Sequence, residues 1–353
     1  AVPARVLGTA PLSMFPARSV AKALLRPQLA AMASARAGSS ASGARSVVVL
    51  DGGMGHQLKA MGIEIAGPVG SMRRFLGVTM ANLDQPEMVR DAHLAFIDAG
   101  ADVVTTNSYA CVPKCLAHAS DEDLRSKLEG GGLEKLVSAA GRLAREACSL
   151  RPERQVRVAG SLPPLAESYR PDKVGNFEDN LQQYRMIAAS IAPYSDVLLC
   201  ETMSTADEAR AAFQAASETG LPVWVSWTLD ESRPVLRSGE TLEEAFVALK
   251  RAPAVEKLEA CMFNCTSPEV IVTAIPLLKA LVPAGVKVGG YANGFVTAAS
   301  GVGEYRDLDS AEYYNDFVAK WVSSGAEIVG GCCGIFPKHI AAVRQGLDAT
   351  STL

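Results

Sequence analysis

Short apolar runs rich in β-branched residues alternate with longer amphipathic runs along nearly all of the chain after residue 45. Apolar runs without a polar residue at every second position are typical of parallel strands that are buried on both faces. The predicted strands are Ser46–Leu50, Ala101–Thr106, Gln155–Gly160, Asp196–Cys200, Pro222–Trp227, Leu258–Asn264, Val286–Tyr291 and Glu327–Gly330. Few folds accommodate eight parallel strands in series.

Helical patterns fill the intervals between these strands. The first of them has a proline in its first turn and ends at Gly100, as expected for a helix start and a helix stop. The predicted helices are Pro86–Ala99, Asp121–Leu150, Phe177–Ala192, Thr205–Glu218, Thr241–Lys250, Pro268–Leu281, Ser310–Ser324 and Pro337–Leu347. Gly130-Gly131-Gly132 interrupts the second of these, which predicts two helices joined by a loop.

Eight strand–helix units in about 300 residues predict one (β/α)8 barrel of the TIM type, forming a single domain over residues 46–350. A doubly wound parallel sheet is the alternative. That fold usually carries Gly-x-Gly-x-x-Gly after its first strand, and the sequence after Leu50 lacks this motif.

The first 45 residues differ in composition from the rest of the chain. They are rich in Ala, Ser and Arg and contain no acidic residue, which is typical of an organelle transit peptide. A disordered tail is one alternative, and coding sequence read upstream of an internal start at Met14 or Met32 is another. We exclude residues 1–45 from the barrel. A cytoplasmic location is expected, or a plastid or mitochondrial one if this segment directs import.

Charge and cysteine content exclude several classes of protein. The net charge is −4, and the +6 carried by residues 1–50 leaves −10 on the remainder, which argues against a nucleic-acid partner. No run approaches the roughly 20 apolar residues that span a bilayer, so no membrane partner is expected. Eight cysteines in 353 residues do not form a disulfide scaffold; they favour free or metal-binding thiols in a reducing compartment. The oligomeric state is not predicted by the sequence.

Polar residues follow the predicted strands. In a TIM barrel the functional groups lie at the C-terminal ends of the strands, so these residues are expected to meet at one mouth of the barrel. In chain order they are Asp51-Gly52-Gly53, Thr106-Asn107-Ser108, Gly160-Ser161, Glu201-Thr202, Trp227-Thr228, Asn264-Cys265, Ala292-Asn293-Gly294 and Cys332-Cys333.

Three of these residues are cysteines. Cys265 follows the sixth strand, and Cys332 and Cys333 follow the eighth, so a closed barrel brings them close together. Three thiolates suit zinc, and a catalytic zinc keeps its fourth position for water or substrate. Close packing of small residues is the alternative interpretation of all three. A redox role for Cys332-Cys333 is disfavoured, because a disulfide between adjacent cysteines is strained.

The remaining cysteines and the histidines carry less information. Cys111 and Cys115 are interpreted as structural, and Cys200 and Cys261 as core residues. None of the four histidines follows a predicted strand, so a hydrolase with a histidine base lacks its central residue. His93 and His339 are expected at surface or capping positions on helices.

Asp51 and Glu201 are the acidic residues best placed for function, because each directly follows an apolar strand. Together they are suited to hold a substrate ammonium group, and the backbone N–H groups of Gly52-Gly53 are suited to a substrate carboxylate. This interpretation predicts recognition of an amino acid. A helix N-cap or a salt bridge at the barrel mouth is the alternative for each acid.

The motifs, taken in order, resemble the homocysteine S-methyltransferases from about Val47 to Leu347. The matching segments are Asp51-Gly52-Gly53-Met54-Gly55, Thr106-Asn107-Ser108-Tyr109, Cys200-Glu201-Thr202, Asn264-Cys265, Tyr291-Ala292-Asn293-Gly294 and Gly330-Gly331-Cys332-Cys333-Gly334. The resemblance implies a zinc-dependent barrel that methylates homocysteine to methionine.

The same resemblance implies a role for each matching residue. Cys265, Cys332 and Cys333 would be the zinc ligands. Asp51 and Glu201 would hold the amino group of homocysteine, and Gly52-Gly53 would lie near its carboxylate. Asn293 matches an asparagine that occupies the fourth zinc position in some relatives, and Asn107 is placed with the substrate-binding residues.

The methyl donor is the less determined half of the reaction. A thiolate that attacks a positively charged methyl donor releases a neutral group and needs no general acid. S-methylmethionine or S-adenosylmethionine is favoured as the donor, and betaine or another onium compound is the alternative donor. Selenocysteine is the alternative acceptor. Tyr109 and Trp227 are candidates for cation–π contact with the donor, and simple packing at the barrel mouth is the alternative for each. A barrel that binds zinc and homocysteine without catalysis is the alternative of another class.

Overall fold

The computed structural model describes residues 47–63, 72–117, 126, 129–296, 304–305 and 308–351. Residues 1–45, for which a transit peptide or a disordered tail is predicted, lie outside the described residues. Within the described ranges, no helix combines the length and the apolar character needed to cross a membrane.

Eight parallel strands form a barrel, as predicted. They are β1 (Val48–Val49), β2 (Val103–Thr105), β3 (Arg157–Leu162), β4 (Val197–Met203), β5 (Val223–Trp227), β6 (Leu258–Asn264), β7 (Lys287–Ala292) and β8 (Ile328–Gly331). Consecutive strands from β2 to β8 are paired, and β1 pairs with β8 through Val48 and Ile328. A parallel bridge between Leu50 and Val103 joins β1 to β2 and completes the ring.

Helices surround the barrel. Their bounds are Met54–Ala60, Met72–Asp84, Pro86–Asp98, Pro113–Leu116, Gly132–Ser149, Phe177–Ile191, Ala206–Ser217, Leu242–Lys250, Pro268–Leu281, Ser310–Glu312, Ala319–Ser323 and Pro337–Ser351. A π-helical segment, Tyr313–Val318, lies inside the penultimate helical run, and short 3-10 turns occupy Pro152–Arg154, Pro171–Lys173, Ala192–Tyr194 and Val255–Lys257. A small antiparallel pair, Phe295–Val296 with Glu304–Tyr305, follows β7.

The predicted helices agree with these bounds wherever the structure describes the chain. In the predicted run Asp121–Leu150, the helix Gly132–Ser149 is present after the glycine triplet, and most of the part before the triplet lies outside the described residues. Two helices, Met54–Ala60 and Met72–Asp84, were not predicted. The short helix Pro113–Leu116 lies where the sequence predicts a helix that begins at Cys111 and Cys115.

Local sequence signals explain where several helices begin. The Asn176 side chain accepts a hydrogen bond from the Asp179 N–H at 3.0 Å. Thr241 and Glu244 form a reciprocal capping box at the start of Leu242–Lys250. Such caps satisfy N–H groups that have no partner within the helix, so they fix the first residue of each helix and the length of the loop before it.

Two apolar layers hold the barrel together. The inner layer fills the barrel and contains Leu50, Val103, Ala159, Val197, Leu199, Trp224, Ala260, Met262, Tyr291 and Ile328. The outer layer lies between strands and helices and includes Trp227, Phe213 and Trp321. Because side chains alternate along a strand, Trp224 of β5 faces the interior and Trp227 faces the helices.

Candidate metal and amino-acid site

The three cysteines selected from the sequence lie together at the C-terminal mouth of the barrel. Their Sγ atoms all lie within 4.8 Å of one another, and the Cys265 and Cys332 sulfurs are 2.8 Å apart. Cys265 is buried, and Cys332 and Cys333 are half-buried. In the part of the chain that the structure describes, this is the one cluster of at least three potential metal ligands at such spacing.

The three thiols influence one another's ionisation through mutual hydrogen bonds. Hydrogen bonds from Cys332 and Cys333 hold the pKa of Cys265 well below its usual range. The pKa values of Cys332 and Cys333 lie well above the usual range, first because each thiol donates a hydrogen bond to Cys265. A divalent cation would instead favour ionisation of all three, because cysteine binds metals as the thiolate.

Asn293 adds a buried amide beside the thiols. Its backbone N–H donates to the carbonyl of Thr266 at 3.0 Å, and the next residue, Gly294, donates to the carbonyl of Cys333 at 2.7 Å. The Asn293 side chain is fully buried, and neither amide atom has a hydrogen-bond partner among the described residues. A buried amide without a partner is costly. The three thiols and this amide therefore fit a zinc ion, which ordinarily binds sulfur together with nitrogen or oxygen ligands.

The backbone around the thiols is strained. In the described residues, five non-glycine residues have left-handed backbone angles, and three belong to this mouth: Tyr169 (φ +65°), Thr202 (φ +60°) and Cys265 (φ +51°). The other two, Gln155 and Ala254, lie in turns that precede strands at the opposite end of the barrel. Such strain concentrates at functional sites, where the surrounding structure holds it in place.

Glu201 lies near the C-terminal end of β4, and its side chain is buried. Its carboxyl group accepts a hydrogen bond from the Ser161 hydroxyl, and the Tyr291 hydroxyl lies 3.4 Å from its other oxygen. Burial raises the pKa of Glu201 to about 8, and the charges of Cys265 and Asp51 add to the increase. The mouth thus contains a carboxyl group that gains from pairing with a cation.

Asp51 directly follows the Leu50–Val103 bridge that joins β1 to β2. Its carboxylate accepts hydrogen bonds from the N–H of Thr105 at 2.7 Å and from the hydroxyl of Thr105 at 3.0 Å. Burial raises the pKa of Asp51 to about 7, although these hydrogen bonds oppose the increase. The charge of Asp51 contributes to the raised pKa of Glu201, so the two carboxyl groups interact electrostatically across the mouth. An ammonium group placed between them would relieve this repulsion.

Gly52 and Gly53 bring the Asp51 turn against the segment that holds two of the cysteines. A Cβ on Gly52 would lie 2.4 Å from the carbonyl oxygen of Ile335, and one on Gly53 would lie 2.7 Å from that of Cys332. The N–H of Gly53 donates to the carbonyl of Ile335 at 2.9 Å. The glycines thus bring Asp51 close to the cysteine segment, and the N–H of Gly53 is already bound within the protein.

Asn107 lies at the same mouth but faces a helix. Its amide donates to the carbonyl of Val78 and to the side chain of Asn82, both at 3.0 Å, and Asn82 donates back to the carbonyl of Asn107 at 2.8 Å. This amide N–H2 group therefore ties the helix Met72–Asp84 to the mouth.

Several residues at the mouth were not identified as functional from the sequence. Thr105, Ser161 and Tyr291 orient the carboxyl groups of Asp51 and Glu201, as described above. The Tyr169 hydroxyl contributes to lowering the pKa of Cys265, after the larger effects of Cys332 and Cys333. Tyr169 is in the loop after β3, and loops after strands line the mouth of a TIM barrel, so this position was open to prediction.

Two sequence-based expectations were wrong. Trp227 belongs to the outer apolar layer with Val223 and Val225, so its ring does not face a donor at the mouth. His93 is fully buried, with no hydrogen-bond partner among the described residues, and burial lowers its pKa to about 3. Tyr109 does lie at the mouth, with its hydroxyl 2.8 Å from that of Ser168.

The other interpretations of the minor cysteines and of His339 were confirmed. Cys111, Cys115, Cys200 and Cys261 are buried and form no disulfide bond. His339 caps the helix Pro337–Ser351 by accepting the N–H of Phe336 at 2.9 Å, and its other ring nitrogen is 2.8 Å from the carbonyl of Leu308. None of these groups joins the thiol cluster in the described part of the chain.

Comparison with known proteins gives a consistent set of similarities. The family model described as Homocysteine S-methyltransferase matches residues 48–347. A homocysteine S-methyltransferase of Escherichia coli K12 is 29% identical over 321 residues, covering 85% of this chain and 95% of that protein. A selenocysteine methyltransferase of Astragalus bisulcatus is 26% identical over 333 residues, covering 85% and 92%.

One solved structure is similar over the same region. The metallated form of the homocysteine methyltransferase MmuM from Escherichia coli superposes with a TM-score of 0.69 at 25% identity. The match covers 85% of this chain and 96% of that one.

Proposed function

The chain belongs to the homocysteine S-methyltransferase family, and from this premise we propose that it transfers a methyl group from a small onium donor to the thiol of homocysteine, giving methionine. One observation carries the proposal: three thiols and two buried carboxyl groups share one mouth of the barrel. The thiols suit a metal that activates a substrate thiol, and the carboxyl groups suit the ammonium of the same substrate.

Zinc is the metal that this donor set suits best. Cys265, Cys332 and Cys333 would hold it, with the amide of Asn293 beside them. When bound, zinc would lower the pKa of a thiol substrate so that the thiolate is available at neutral pH. The similar Escherichia coli structure is a metallated form, which supports a metal here.

Asp51 and Glu201 would hold the amino group of homocysteine. Burial keeps the pKa values of both groups near or above neutrality, at about 7 and about 8. A cation between them favours the ionised forms of both carboxyl groups. Binding of the ammonium group is therefore coupled to ionisation of Asp51 and Glu201. Ser161 and Thr105 keep their hydrogen bonds to these carboxyl groups and thereby fix the position of the amino group.

The charge of the mouth favours a cationic donor. Three thiols and two buried carboxyl groups lie at the mouth, and the nearby Arg237, whose guanidinium is 5.1 Å from the Tyr169 ring, is paired with Glu231. Methyl transfer then forms a bond from the homocysteine sulfur to the methyl carbon and breaks the bond from that carbon to the onium atom. The electron pair stays on the neutral leaving group, and the thiol proton is lost to solvent, so no general acid is needed.

S-methylmethionine and S-adenosylmethionine are the favoured donors, with betaine as the alternative. Selenocysteine is a second candidate acceptor, because one relative at 26% identity is named a selenocysteine methyltransferase. Thiolates and selenolates both bind zinc, so the metal alone does not distinguish the two acceptors. Selenocysteine is one methylene shorter than homocysteine, so the distance between the carboxyl groups and the thiols decides between them.

A panel of donors and acceptors tests the proposal. The zinc-loaded protein is incubated with homocysteine and each donor in turn, and methionine is measured by chromatography; selenocysteine replaces homocysteine in a parallel series. Methionine from at least one donor is expected, with kcat/KM lowered about 10- to 100-fold in Glu201→Gln, which removes the charge that holds the ammonium. Binding of homocysteine without turnover of any donor would contradict the proposed transfer.

A further inference from the structure

Asn264 connects three neighbouring strands by its side chain. It is the last residue of β6 and is fully buried. Its Oδ1 accepts hydrogen bonds from the N–H of Thr202 at 2.9 Å and from the hydroxyl of Ser226 at 2.7 Å. Its Nδ2 donates to the hydroxyl of Thr202 at 2.8 Å. Thr202 belongs to β4 and Ser226 to β5, so one amide ties β6 to both.

The neighbours of these residues in the chain are the groups that would bind substrate and metal. Cys265 directly follows Asn264, and Glu201 directly precedes Thr202. Thr202 and Cys265 both have left-handed backbone angles, which a threonine adopts only when its surroundings hold it there. The N–H of Thr202 is bound to the Asn264 side chain, so this amide is one of the restraints that hold Thr202.

The left-handed residue coincides with an irregularity in β4. The pairing of β4 with β5 shifts register between Cys200 and Met203. Leu198, Cys200 and Met203 all belong to the outer apolar layer, although strict alternation would turn Met203 inward. One extra residue is therefore accommodated at Glu201–Thr202, as in a β-bulge, and bulges of this kind aim side chains beside active sites.

The bulge decides where the carboxyl group of Glu201 lies. Glu201 is directed to Ser161 of β3 and Tyr291 of β7, while the following Thr202 is held by Asn264. The same Asn264 carries Cys265 as its next residue. Asn264 is thus a direct restraint on the separation between the carboxyl group of Glu201 and the thiol of Cys265.

We propose that Asn264 is a positioning residue that sets this separation and thereby selects amino acids with a γ-thiol over those with a β-thiol. This inference rests on the proposed function, since it assumes that Glu201 holds the substrate ammonium and that the cysteines hold the metal. Homocysteine is one methylene longer than cysteine, so a fixed distance between the two ends discriminates between them. Loss of the Asn264 side chain would release the backbone of Thr202 and let Glu201 move. Binding of the shorter amino acid would then be less unfavourable.

The affinities for methionine and S-methylcysteine test this inference without turnover. Both ligands have an uncharged sulfur and differ by one methylene, and both are titrated calorimetrically into the zinc-loaded protein. Wild type is expected to favour methionine, and Asn264→Ala is expected to reduce that preference about tenfold, the effect of one weakened charge-assisted hydrogen bond. Zinc content, measured in the same samples, is expected to stay near one per chain.

Two further variants separate positioning from a general loss of stability. Asn180→Ala is the matched control, since Asn180 is a buried asparagine on the helix Phe177–Ile191 that donates to the carbonyl of Gly175 at 3.1 Å. It is expected to lower the melting temperature and leave the preference unchanged. Ser226→Ala removes one donor to Asn264 and keeps the bonds to Thr202, so a smaller shift in the same direction is expected even if Asn264→Ala does not fold.

Distinct results would overturn the inference and the proposed function. Equal weakening of both ligands in Asn264→Ala and Ser226→Ala, or a wild-type protein that does not discriminate between the ligands, overturns the positioning role. Absence of methionine formation from every donor overturns the proposed function, whatever the preference for the ligands.

Discussion

At the mouth, burial affects the pKa values of the carboxyl groups more than the charges of neighbouring residues do. Burial raises the pKa of Asp51 to about 7 and that of Glu201 to about 8, and hydrogen bonds from Thr105 and Ser161 only partly offset the increase. Near pH 7 these groups are partly or mainly protonated in the absence of a cation. An ammonium group binds to their ionised forms, so binding releases protons.

The affinity for methionine is therefore expected to increase with pH. Below the pKa of each free carboxyl group, ionisation must accompany binding, which predicts up to about tenfold in affinity per pH unit for each group. The increase should continue from pH 6 to about pH 8 and then level off. Methionine is the suitable ligand, because its sulfur does not titrate. Calorimetric titration at several pH values measures the effect.

Asp51→Asn is the control for this dependence, since an amide neither ionises nor attracts the ammonium. We expect weaker binding with a shallower slope that begins nearer the pKa of Glu201. An affinity that is constant between pH 6 and pH 8 in the wild-type protein would show that the two carboxyl groups do not hold the amino group.

Gly53 is expected to be intolerant of a side chain. A Cβ there would lie 2.7 Å from the carbonyl oxygen of Cys332 and 3.1 Å from the Cα of Cys333, so the cysteine segment would have to move. Gly53→Ala should weaken zinc binding about 10- to 100-fold, the range found when groups that support metal ligands are altered. Competition with a chromophoric chelator measures the affinity.

Gly55→Ala is the matched control two residues along the same segment. A Cβ on Gly55 would make ordinary contact with Val78 at 3.5 Å, and it lies in the helix Met54–Ala60, where alanine is the better helix former. Zinc affinity is expected to be unchanged. Equal losses in both variants would contradict the specific role of Gly53.

Secondary-structure elements were more predictable than the contacts between them. The bounds of β6 and of the helix Pro268–Leu281 follow from the sequence to the residue, because an apolar run, a Ser-Pro start and a buried face define them together. Met54–Ala60 was not predicted because it begins at Gly53 without a side-chain cap. The bulge at Thr202 was not predictable, because it depends on Asn264 from another strand.

His93 shows a case in which the pattern was informative and the residue type misleading. It lies on the helix Pro86–Asp98, and the spacing from Val89 (four residues) and to Phe96 (three residues) places it on the buried face. Histidine suggested a surface or capping role, but periodicity decided its position. The cysteine cluster was predictable for the opposite reason, since strand order alone brings the ends of β6 and β8 to one mouth.

The π-helical segment Tyr313–Val318 is expected to support β8. The hydroxyl of Tyr313 donates to the carbonyl of Gly330 at 2.5 Å, two residues before Cys332. Tyr313→Phe should lower the free energy of unfolding by about 1 kcal/mol, since it leaves a buried carbonyl without its side-chain partner. It should also weaken zinc binding. Chemical denaturation and chelator competition measure the two effects.

Tyr314→Phe on the same segment is the control, because the ring of Tyr314 lies beside Gly346 of the last helix and not against β8. It should change neither zinc affinity nor the free energy of unfolding by a comparable amount. A Tyr313→Phe protein with unaltered zinc affinity would mean that the π-helical segment does not support the metal site.

In the molecule as a whole, residues that stabilise the fold and residues proposed to act in the reaction lie at opposite ends of the barrel. Four ion pairs lie where strands begin: Arg157 with Glu259, Arg145 with Asp196, Lys279 with Glu327 and Arg344 with Asp102. The thiols and the carboxyl clamp lie where strands end. This division is general in TIM barrels, and it lets the mouth keep strained backbone while the opposite end stabilises the fold.

A chain that begins at Ser46 is expected to keep the activity of the full chain. β1 begins at Val48, and every proposed ligand and substrate-binding residue lies after it. We therefore propose that residues 1–45 contribute nothing to the barrel or its mouth. Thermal unfolding and methionine formation should match those of the full chain, and a loss of either would show that the segment is part of the functional domain.

X-ray absorption at the zinc K-edge tests the central claim most directly, because it counts the sulfur atoms around the metal. The zinc-loaded protein should show three sulfur ligands at about 2.3 Å and one lighter atom, and homocysteine should raise the count to four. Homoserine, which has a hydroxyl in place of the thiol, should leave it at three. A count below three, or one that homocysteine does not change, would contradict a zinc site built from Cys265, Cys332 and Cys333 that activates the substrate thiol.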